Sequence, residues 1–457
     1  MSAILKTLPN GVRLLAIPMP HVQSASVGVF LRVGSRDESP ATNGISHVLE
    51  HMAFKGTTSR SVQEINLDAE RLGADVNAFT SKDTTAYFMS GLGRHVDQFL
   101  GMTADIVLNS TFPPAELQRE LDVIRQEAIE YAEDPEEHSG ELLDRAIWGD
   151  HPLGMPVIGT LENIERFTRD DVVAHVQSHY VAEKTVVAAA GSFDVDAFMA
   201  DAERLFSGMR RSGEAEPALQ VPRHIGNAMG KRFTQVSQVF VNLSYPVVPL
   251  DVDAILQQRW RVAASLASTL FGGGMSSPLT DTVRERMGLA YNAQTSSEHG
   301  DTWFNLIVHA VTTPDKLEQL VTATGALLRD HAWSIDPVHL ERAKNQLAVS
   351  RVQSSERSYA SMERAVEELF VHGTVTPVQE SIALIESIQA DEVRAVFERM
   401  LQAPPALAIT GKGASPKAAA QLAAALAAAT RGPTTTAARS TPSPAPARAT
   451  RWRKPRR

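Results

Sequence analysis

Two histidines and a glutamate near the start of the chain have the spacing of a metal-assisted hydrolytic site. His47 and His51 are the ends of the sequence His-Val-Leu-Glu-His, so on a helix both imidazoles face the same side. Imidazoles at this spacing supply two ligands to a tetrahedral Zn²⁺. Glu50 can lie beside the metal, where its carboxylate takes a proton from a water molecule. This order is the inverse of His-Glu-x-x-His; the alternative is a surface helix that carries two histidines.

A zinc site of this kind needs a third protein ligand and leaves a fourth position for water. The segment from Glu120 to Glu127 reads Glu-Leu-Asp-Val-Ile-Arg-Gln-Glu. Its first and last glutamates are separated by about two helical turns, so they share one helix face. The spacing alone does not decide which of them coordinates, and acids at helical spacing also occur on ordinary solvated faces.

The elements that must position these residues alternate between valine-rich runs and amphipathic stretches, a pattern typical of α+β domains. The chain also repeats itself. Residues 73–81 resemble residues 288–296, and amphipathic helices follow at 95–110 and 316–331, each leading to a proline-marked turn and another helix. We therefore predict two homologous α/β-sandwich domains related by internal duplication. Each would contain a mixed or antiparallel sheet packed with helices, and together they would enclose a cavity.

The predicted domain limits follow changes in composition. We assign residues 1–209 to the first domain, 210–222 to a polar linker and 223–431 to the second domain. Residues 432–457 are rich in Pro and Ala and contain seven basic residues and no acids. This composition predicts a disordered basic tail.

Charge and composition narrow the class of protein. The net charge is −9, and because the tail contributes +7, residues 1–431 carry −16. A body this acidic is a poor nucleic-acid binder and favours basic peptides. The chain has no cysteine, which excludes thiolate metal ligands. We find no secretory signal, no evident transit peptide and no apolar run long enough for a membrane span, so we expect a cytoplasmic protein.

Segments spread over roughly residues 5–415 resemble one known family. The sequence from His47 to Thr57 closely resembles the active-site segment of the pitrilysin-type (inverzincin) zinc metallopeptidases. It is most similar to the mitochondrial processing peptidase β-subunit group and its bacterial relatives. The further matching segments, in the same order as in the family, are 77–80, 120–127, 151–154, 159–164, 271–277 and 284–291.

This resemblance implies a role for each candidate residue near the metal. One Zn²⁺ per chain would be held by His47, His51 and Glu127, and the 76 residues from His51 to Glu127 agree with the family spacing. Glu50 would be the general base. Glu120 would orient a histidine ligand by a hydrogen bond; the alternative for Glu120 is a helix-surface carboxylate.

The resemblance also implies that the second domain completes the site. Arg284 and Tyr291 match the pair that reaches the substrate, and a cation and a phenol can hydrogen-bond the scissile carbonyl or the oxyanion that develops on it. Without the family, they would be interpreted as a helix charge and a core strand residue. Asn77, Ala78 and Phe79 match the edge strand that pairs with an extended peptide; ordinary sheet structure is the alternative.

Together these features predict a zinc-dependent endopeptidase. Its substrates would be unfolded peptides or presequence-like segments, bound as an added β-strand. The intact metal motif and the short loop at 272–274 resemble a catalytic subunit. Two alternatives are a non-catalytic partner or structural core subunit of the same family, and a peptide-binding module without hydrolysis. The family also implies a dimer, either a homodimer or a heterodimer.

Overall fold

The computed structural model describes residues 3–213, 221–247 and 253–431. They form two β-sheets, each packed with helices, which confirms the predicted α+β class. The sheets are built from residues 4–191 and 228–411. The predicted tail and residues 214–220 of the predicted linker lie outside the described residues, so these limits stay predictions.

The first sheet has six strands. In chain order they are β1 (Ile4–Thr7), β2 (Arg13–Pro18), β3 (Ser24–Leu31), β4 (Asp75–Thr80), β5 (Thr85–Leu92) and β6 (Thr185–Gly191). Across the sheet the order is β1-β2-β6-β3-β5-β4. β2 and β6 run parallel, and the other neighbours run antiparallel.

The second sheet has five strands and repeats this topology. They are β7 (Ala228–Arg232), β8 (Val239–Pro246), β9 (Asn292–His299), β10 (Phe304–Thr312) and β11 (Ala406–Gly411). The order β7-β11-β8-β10-β9 matches β2-β6-β3-β5-β4 strand for strand, and β7 and β11 are again the parallel pair. The shared order and directions agree with the duplication predicted from the sequence.

Helices cover the sheets. In the first half they are α1 (Ile45–Ala53), α2 (Val62–Arg71), α3 (Val96–Asn109), α4 (Pro114–Glu133), α5 (Pro135–Trp148), α6 (Leu161–Ile164), α7 (Arg169–His179) and α8 (Val195–Phe206). In the second half they are α9 (Ala254–Gly272), α10 (Leu317–Trp333), α11 (Pro337–Ser355), α12 (Ser358–His372), α13 (Val378–Ser387), α14 (Ala390–Gln402) and α15 (Pro416–Arg431). Within the described ranges, none is long and apolar enough to cross a membrane.

Two helices exchange between the halves. Met362 and Val366 of α12 pack in a cluster with strand residues of the first sheet, such as Phe30. Ile147 of α5 packs in a cluster with strand residues of the second sheet, such as Ile307. Each sheet therefore has helices on both faces, which explains why seven of the eight residues of β3 are buried. The exchange joins the two halves through apolar cores, an arrangement that the sequence did not predict.

Candidate metal centre

α1 presents His47, Glu50 and His51 on the side that faces away from the core. The two imidazole rings lie 4.8 Å apart, because four residues advance the helix by about one turn. The apolar residues of α1 that pack into the core of the first half are Ile45, Val48, Leu49 and Met52. This amphipathic pattern fixes the direction in which both imidazoles point.

Glu127 of α4 faces both histidines. Its Oε1 lies 3.9 Å from Nε2 of His47, and its Oε2 lies 3.7 Å from Nε2 of His51. One ligand atom of each residue can be chosen so that all three atoms lie within 4.8 Å of one another. Ligands at about 2.0–2.2 Å from a tetrahedral zinc ion lie roughly 3.3 Å apart. The three side chains therefore need to move only slightly to reach one ion.

The chemistry of these donors fits Zn²⁺. Two imidazoles and one carboxylate are a ligand set that zinc accepts in hydrolytic sites. Burial, with a further contribution from nearby His51, lowers the pKa of His47 to about 4, so this imidazole is neutral at pH 7, as a ligand must be. Among the residues that the structure describes, this is the one cluster of three or more such side chains that could hold a metal.

Glu120 contacts the candidate ligand His51 at the ring nitrogen that does not face Glu127. Its Oε2 lies 3.2 Å from Nδ1 of His51, and its Oε1 forms an ion pair with Nζ of Lys55 at 2.7 Å. A carboxylate at Nδ1 favours the tautomer that leaves Nε2 free to coordinate. Lys55 is an additional member of the site, since its ammonium fixes the carboxylate from the other end.

Glu50 lies where a base is needed, beside the cluster and against β4. Burial raises the pKa of its carboxyl, the nearby carboxylate of Glu127 raises it further, and hydrogen bonds from Thr80 act in the opposite direction. A raised pKa makes the carboxylate a better proton acceptor than an exposed one. Thr80 lies in the matching segment 77–80, one residue beyond the predicted substrate strand, but it was not among the predicted site residues.

Glu38, which the sequence did not indicate, caps the amino terminus of α1. Its side chain is buried, with 4% exposed, and accepts backbone hydrogen bonds from Gly44 and Ser46 at 2.8 Å each and from the Asn43 amide at 3.0 Å. Burial raises the pKa of this carboxyl to about 6, although the hydrogen bonds oppose the shift. A carboxylate here satisfies amide groups that a helix start leaves unpaired and complements the helix dipole. Glu38 therefore fixes the first turn of α1, which begins two residues before His47.

Two glycines allow the loop before α1 to pack closely. Gly44 has φ +101° and Gly159 has φ +90°, both in the region that disfavours a side chain. A Cβ on Gly159 would lie 2.5 Å from Cα of Gly44. The Asn163 amide then donates to the backbone oxygens of Pro40 and Asn43 at 2.9 and 3.0 Å. The segment 159–164 thus supports the start of the metal-binding helix.

Asn77, Ala78 and Phe79 lie on β4, at one edge of the first sheet. β4 pairs with β5 on one side, and within the described ranges no strand pairs with its other side. Asn77 is exposed, and its Oδ1 accepts a hydrogen bond from the Ala78 amide at 2.8 Å. The free edge can accept another strand, but the structure holds none, so the substrate role stays a prediction.

Arg284 and Tyr291 lie in the second half. Arg284 belongs to a π-helical segment, and its described contacts are an ion pair with Glu285 at 3.4 Å and a hydrogen bond to Sδ of Met275 at 3.5 Å. The Tyr291 side chain is 79% exposed, so it is not the core strand residue that its sequence context suggested. Neither is hydrogen-bonded or ion-paired to the metal cluster within the described residues, and their proposed contact with substrate stays a prediction.

Comparison with known proteins identifies the family. Residues 13–161 match the family described as Insulinase (Peptidase family M16), and residues 166–347 match the Peptidase M16 inactive domain. The chain belongs to the M16 peptidase family. This confirms the resemblance predicted from the sequence, and it gives the protein a peptidase function in general terms.

Several bacterial M16 relatives extend over most of the chain. The chain is 31% identical over 406 residues to "Uncharacterized zinc protease YmxG" of Bacillus subtilis, covering 88% of this chain and 97% of that protein. It is 30% identical over 406 residues to an "Uncharacterized zinc protease" of Rickettsia felis, covering 88% and 96%. It is 32% identical over 408 residues to "Uncharacterized zinc protease Rv2782c" of Mycobacterium tuberculosis, covering 89% and 92%. The names of these relatives support zinc as the metal.

Solved structures share the M16 fold. A protease from Helicobacter pylori superimposes with a TM-score of 0.80 at 19% identity, covering 90% of this chain and 99% of that one. A chain of Complex III2 from Candida albicans, bound to Inz-5, gives a TM-score of 0.77 at 17% identity, covering 93% and 100%. At these identities the likeness concerns the fold alone.

Proposed function

We propose that the protein is a zinc-dependent endopeptidase that hydrolyses extended peptides. The observation that carries this proposal is the convergence of His47, His51 and Glu127, with Glu50 beside them. A metal-binding subunit without activity would need the three ligands but not a partly buried carboxylate with a raised pKa at their side.

The chain's own residues divide the chemistry between them. His47, His51 and Glu127 would hold the ion, and Glu120 with Lys55 fixes the ring of His51. When bound, Zn²⁺ lowers the pKa of a water molecule and polarises a carbonyl group. Glu50 accepts a proton from the attacking water, and its protonated carboxyl then gives that proton to the leaving amine.

The substrate would add to the free edge of β4. Backbone hydrogen bonds to residues such as Asn77 and Phe79 would hold an unfolded peptide without requiring a particular sequence. The charge of −16 on residues 1–431 would favour basic peptides, including presequence-like segments. Arg284 and Tyr291 would hydrogen-bond the scissile carbonyl once the second half approaches the bound peptide. A cytoplasmic location and a dimer are further predictions from the sequence.

A peptide library tests this function. The purified protein is incubated with the library, and cleavage products are identified by mass spectrometry. We expect internal cleavage that a chelator abolishes and one equivalent of zinc restores. A protein that stays inactive with zinc bound would contradict the proposal and favour the non-catalytic subunit. Retention of peptides on the protein without cleavage would favour the peptide-binding module.

A further inference from the structure

The second half contains a cavity at the place that corresponds to the metal centre. In the first half α1 packs against α4, α7 and β4; in the second half α9 packs against α11, α14 and β9, which are their counterparts in order and topology. Both α4 and α11 begin at a proline, so positions in the two helices can be matched by counting from it. Glu120 is six residues after the proline of α4, and the matching residue of α11 is Ala343. Glu127 is thirteen residues after it, and the matching residue is Ser350. At these two positions the second half therefore has no carboxylate.

The cavity has a volume of about 300 Å³ and is bounded by α9, α11, α12 and α13. This volume is at the lower end for small-molecule sites. Ser350, the counterpart of Glu127, is one of its lining residues. The apolar residues of its wall include Val262, Phe304, Leu347, Leu384 and Ile385.

Two of the three arginines in the wall share one carboxylate. Arg351 and Arg364 both donate to Oε1 of Glu368, the latter at 2.8 Å, while Oε2 of Glu368 accepts from the Thr376 amide at 2.7 Å. Arg351 also donates to the Ser381 hydroxyl at 2.7 Å. The Glu368 carboxylate is fully hydrogen-bonded, so this group has the character of a structural network. Among the described residues, Nε of Arg351 and Nε of Arg364 have no hydrogen-bond partner, one free donor each against two on Arg261.

Arg261 is the third arginine and is differently placed. Its side chain is 6% exposed, and Nη2 donates to the backbone oxygens of Gly300 at 3.0 Å and Asp301 at 3.2 Å. Among the described residues, Nε and Nη1 have no hydrogen-bond partner. The guanidinium carbon lies 5.7 Å from the centre of the Phe304 ring. A buried guanidinium with free donors is costly, and an anion that accepted their hydrogen bonds would remove that cost.

The charges around the cavity do not balance. Arg261, Arg351 and Arg364 face two lining carboxylates, Glu368 and Glu367, and the latter lies 3.6 Å from Nε2 of His299. Burial lowers the pKa values of the lining histidines His299 and His372, so neither adds charge at neutral pH. One positive charge is left over among the lining residues, because the carboxylate of Asp301, which lies beside Arg261, is ion-paired with Arg32.

We propose that this cavity is a second ligand site, which binds a small carboxylate with an apolar body. The carboxylate would accept hydrogen bonds from Arg261, and the apolar body would lie against Val262, Leu347 and Ile385. Neither the peptidase reaction nor the metal centre uses this site.

Isothermal titration of the full chain with phenylacetate tests the proposal, with phenethylamine and inorganic phosphate as comparison probes. We expect saturable binding of phenylacetate at one site per chain, weaker binding of phosphate, which lacks the apolar body, and no binding of phenethylamine. Arg261→Met should weaken phenylacetate binding by about tenfold or more, the usual size of a charge-assisted hydrogen bond. Arg71→Met is the matched control, because the Arg71 side chain is 73% exposed on the first half.

A second variant keeps the test decisive if Arg261→Met fails to fold. Ser265 lines the cavity from α9, so Ser265→Leu should fill part of it and also abolish binding. The proposal is overturned if wild type does not bind phenylacetate at millimolar concentration. It is also overturned if the folded variants bind it as tightly as wild type, or if the amine binds as well as the acid.

Discussion

Glu120→Gln is the substitution that separates ligand orientation from ligation most cleanly. The carboxylate contacts Nδ1 of His51 at 3.2 Å through one oxygen and the Lys55 ammonium at 2.7 Å through the other. A glutamine has the same shape but one oxygen. If that oxygen faces His51, the amide nitrogen meets the Lys55 ammonium, donor against donor; if it is turned round, the ring loses its acceptor.

The expected cost follows from either orientation. Loss of a partner that orients a metal-bound histidine lowers metal affinity by about 10- to 100-fold, which is about 1.4–2.7 kcal/mol. Competition with a chromophoric chelator measures the zinc Kd of wild type and variant. Glu116→Gln is the matched control, because Glu116 lies one turn earlier on α4 and pairs with Arg119 on the surface.

The double variant Glu120→Gln/Lys55→Met refines the test. Removing the ammonium lets the amide nitrogen of the glutamine point away from His51 without a donor clash, so zinc affinity should recover in part. A single Glu120→Gln variant that binds zinc as tightly as wild type, with Glu116→Gln also unchanged, would refute the assigned role of Glu120.

Three further predictions follow from the supports of the site. Gly159→Ala should destabilise the fold by about 2 kcal/mol or more, measured by urea unfolding, since its φ is +90° and the new Cβ would meet Gly44 at 2.5 Å; an unchanged midpoint would contradict the packing. Because the pKa of Glu38 is raised from 4.5 to about 6, the folded state binds more protons between these values. The stability of wild type relative to Glu38→Gln should therefore fall by up to about 2 kcal/mol from pH 4.5 to 7; a difference that is flat or rises with pH would count against it. Arg284→Met and Tyr291→Phe should each lower kcat about 10²- to 10³-fold with unchanged zinc content; normal turnover in both would remove them from the mechanism.

The parts of the fold that the sequence predicted depend on short-range patterns. The four-residue spacing of His47 and His51 is a property of one helix, and it has the same meaning wherever that helix packs. The duplication was visible because homologous segments occur in the same order. The choice of Glu127 over Glu120 came from family spacing, since two acids on one helix face are equivalent until the neighbouring helix is placed.

The remaining features depend on contacts that no helix or strand period specifies. The carboxylate of Glu38 meets amide groups six and eight residues further along the chain, through a loop whose path the sequence pattern does not show. Lys55 reaches Glu120 across 65 residues of chain, so the pair has no local pattern. The exchange of α5 and α12 could not be predicted from the sequence either. The pattern of an amphipathic helix shows that one face covers an apolar surface, but it does not show which of two similar sheets provides that surface.

The central claim is that Glu50 is the base of a zinc peptidase, and one variant tests it directly. Zinc content and peptide cleavage are measured on the same preparation of Glu50→Gln, with Glu130→Gln on the exposed side of α4 as control. We predict one zinc ion per chain in both variants, a loss of kcat of about 10²- to 10⁴-fold or more for Glu50→Gln, and normal turnover for the control. Cleavage by zinc-loaded Glu50→Gln at the wild-type rate would contradict the account.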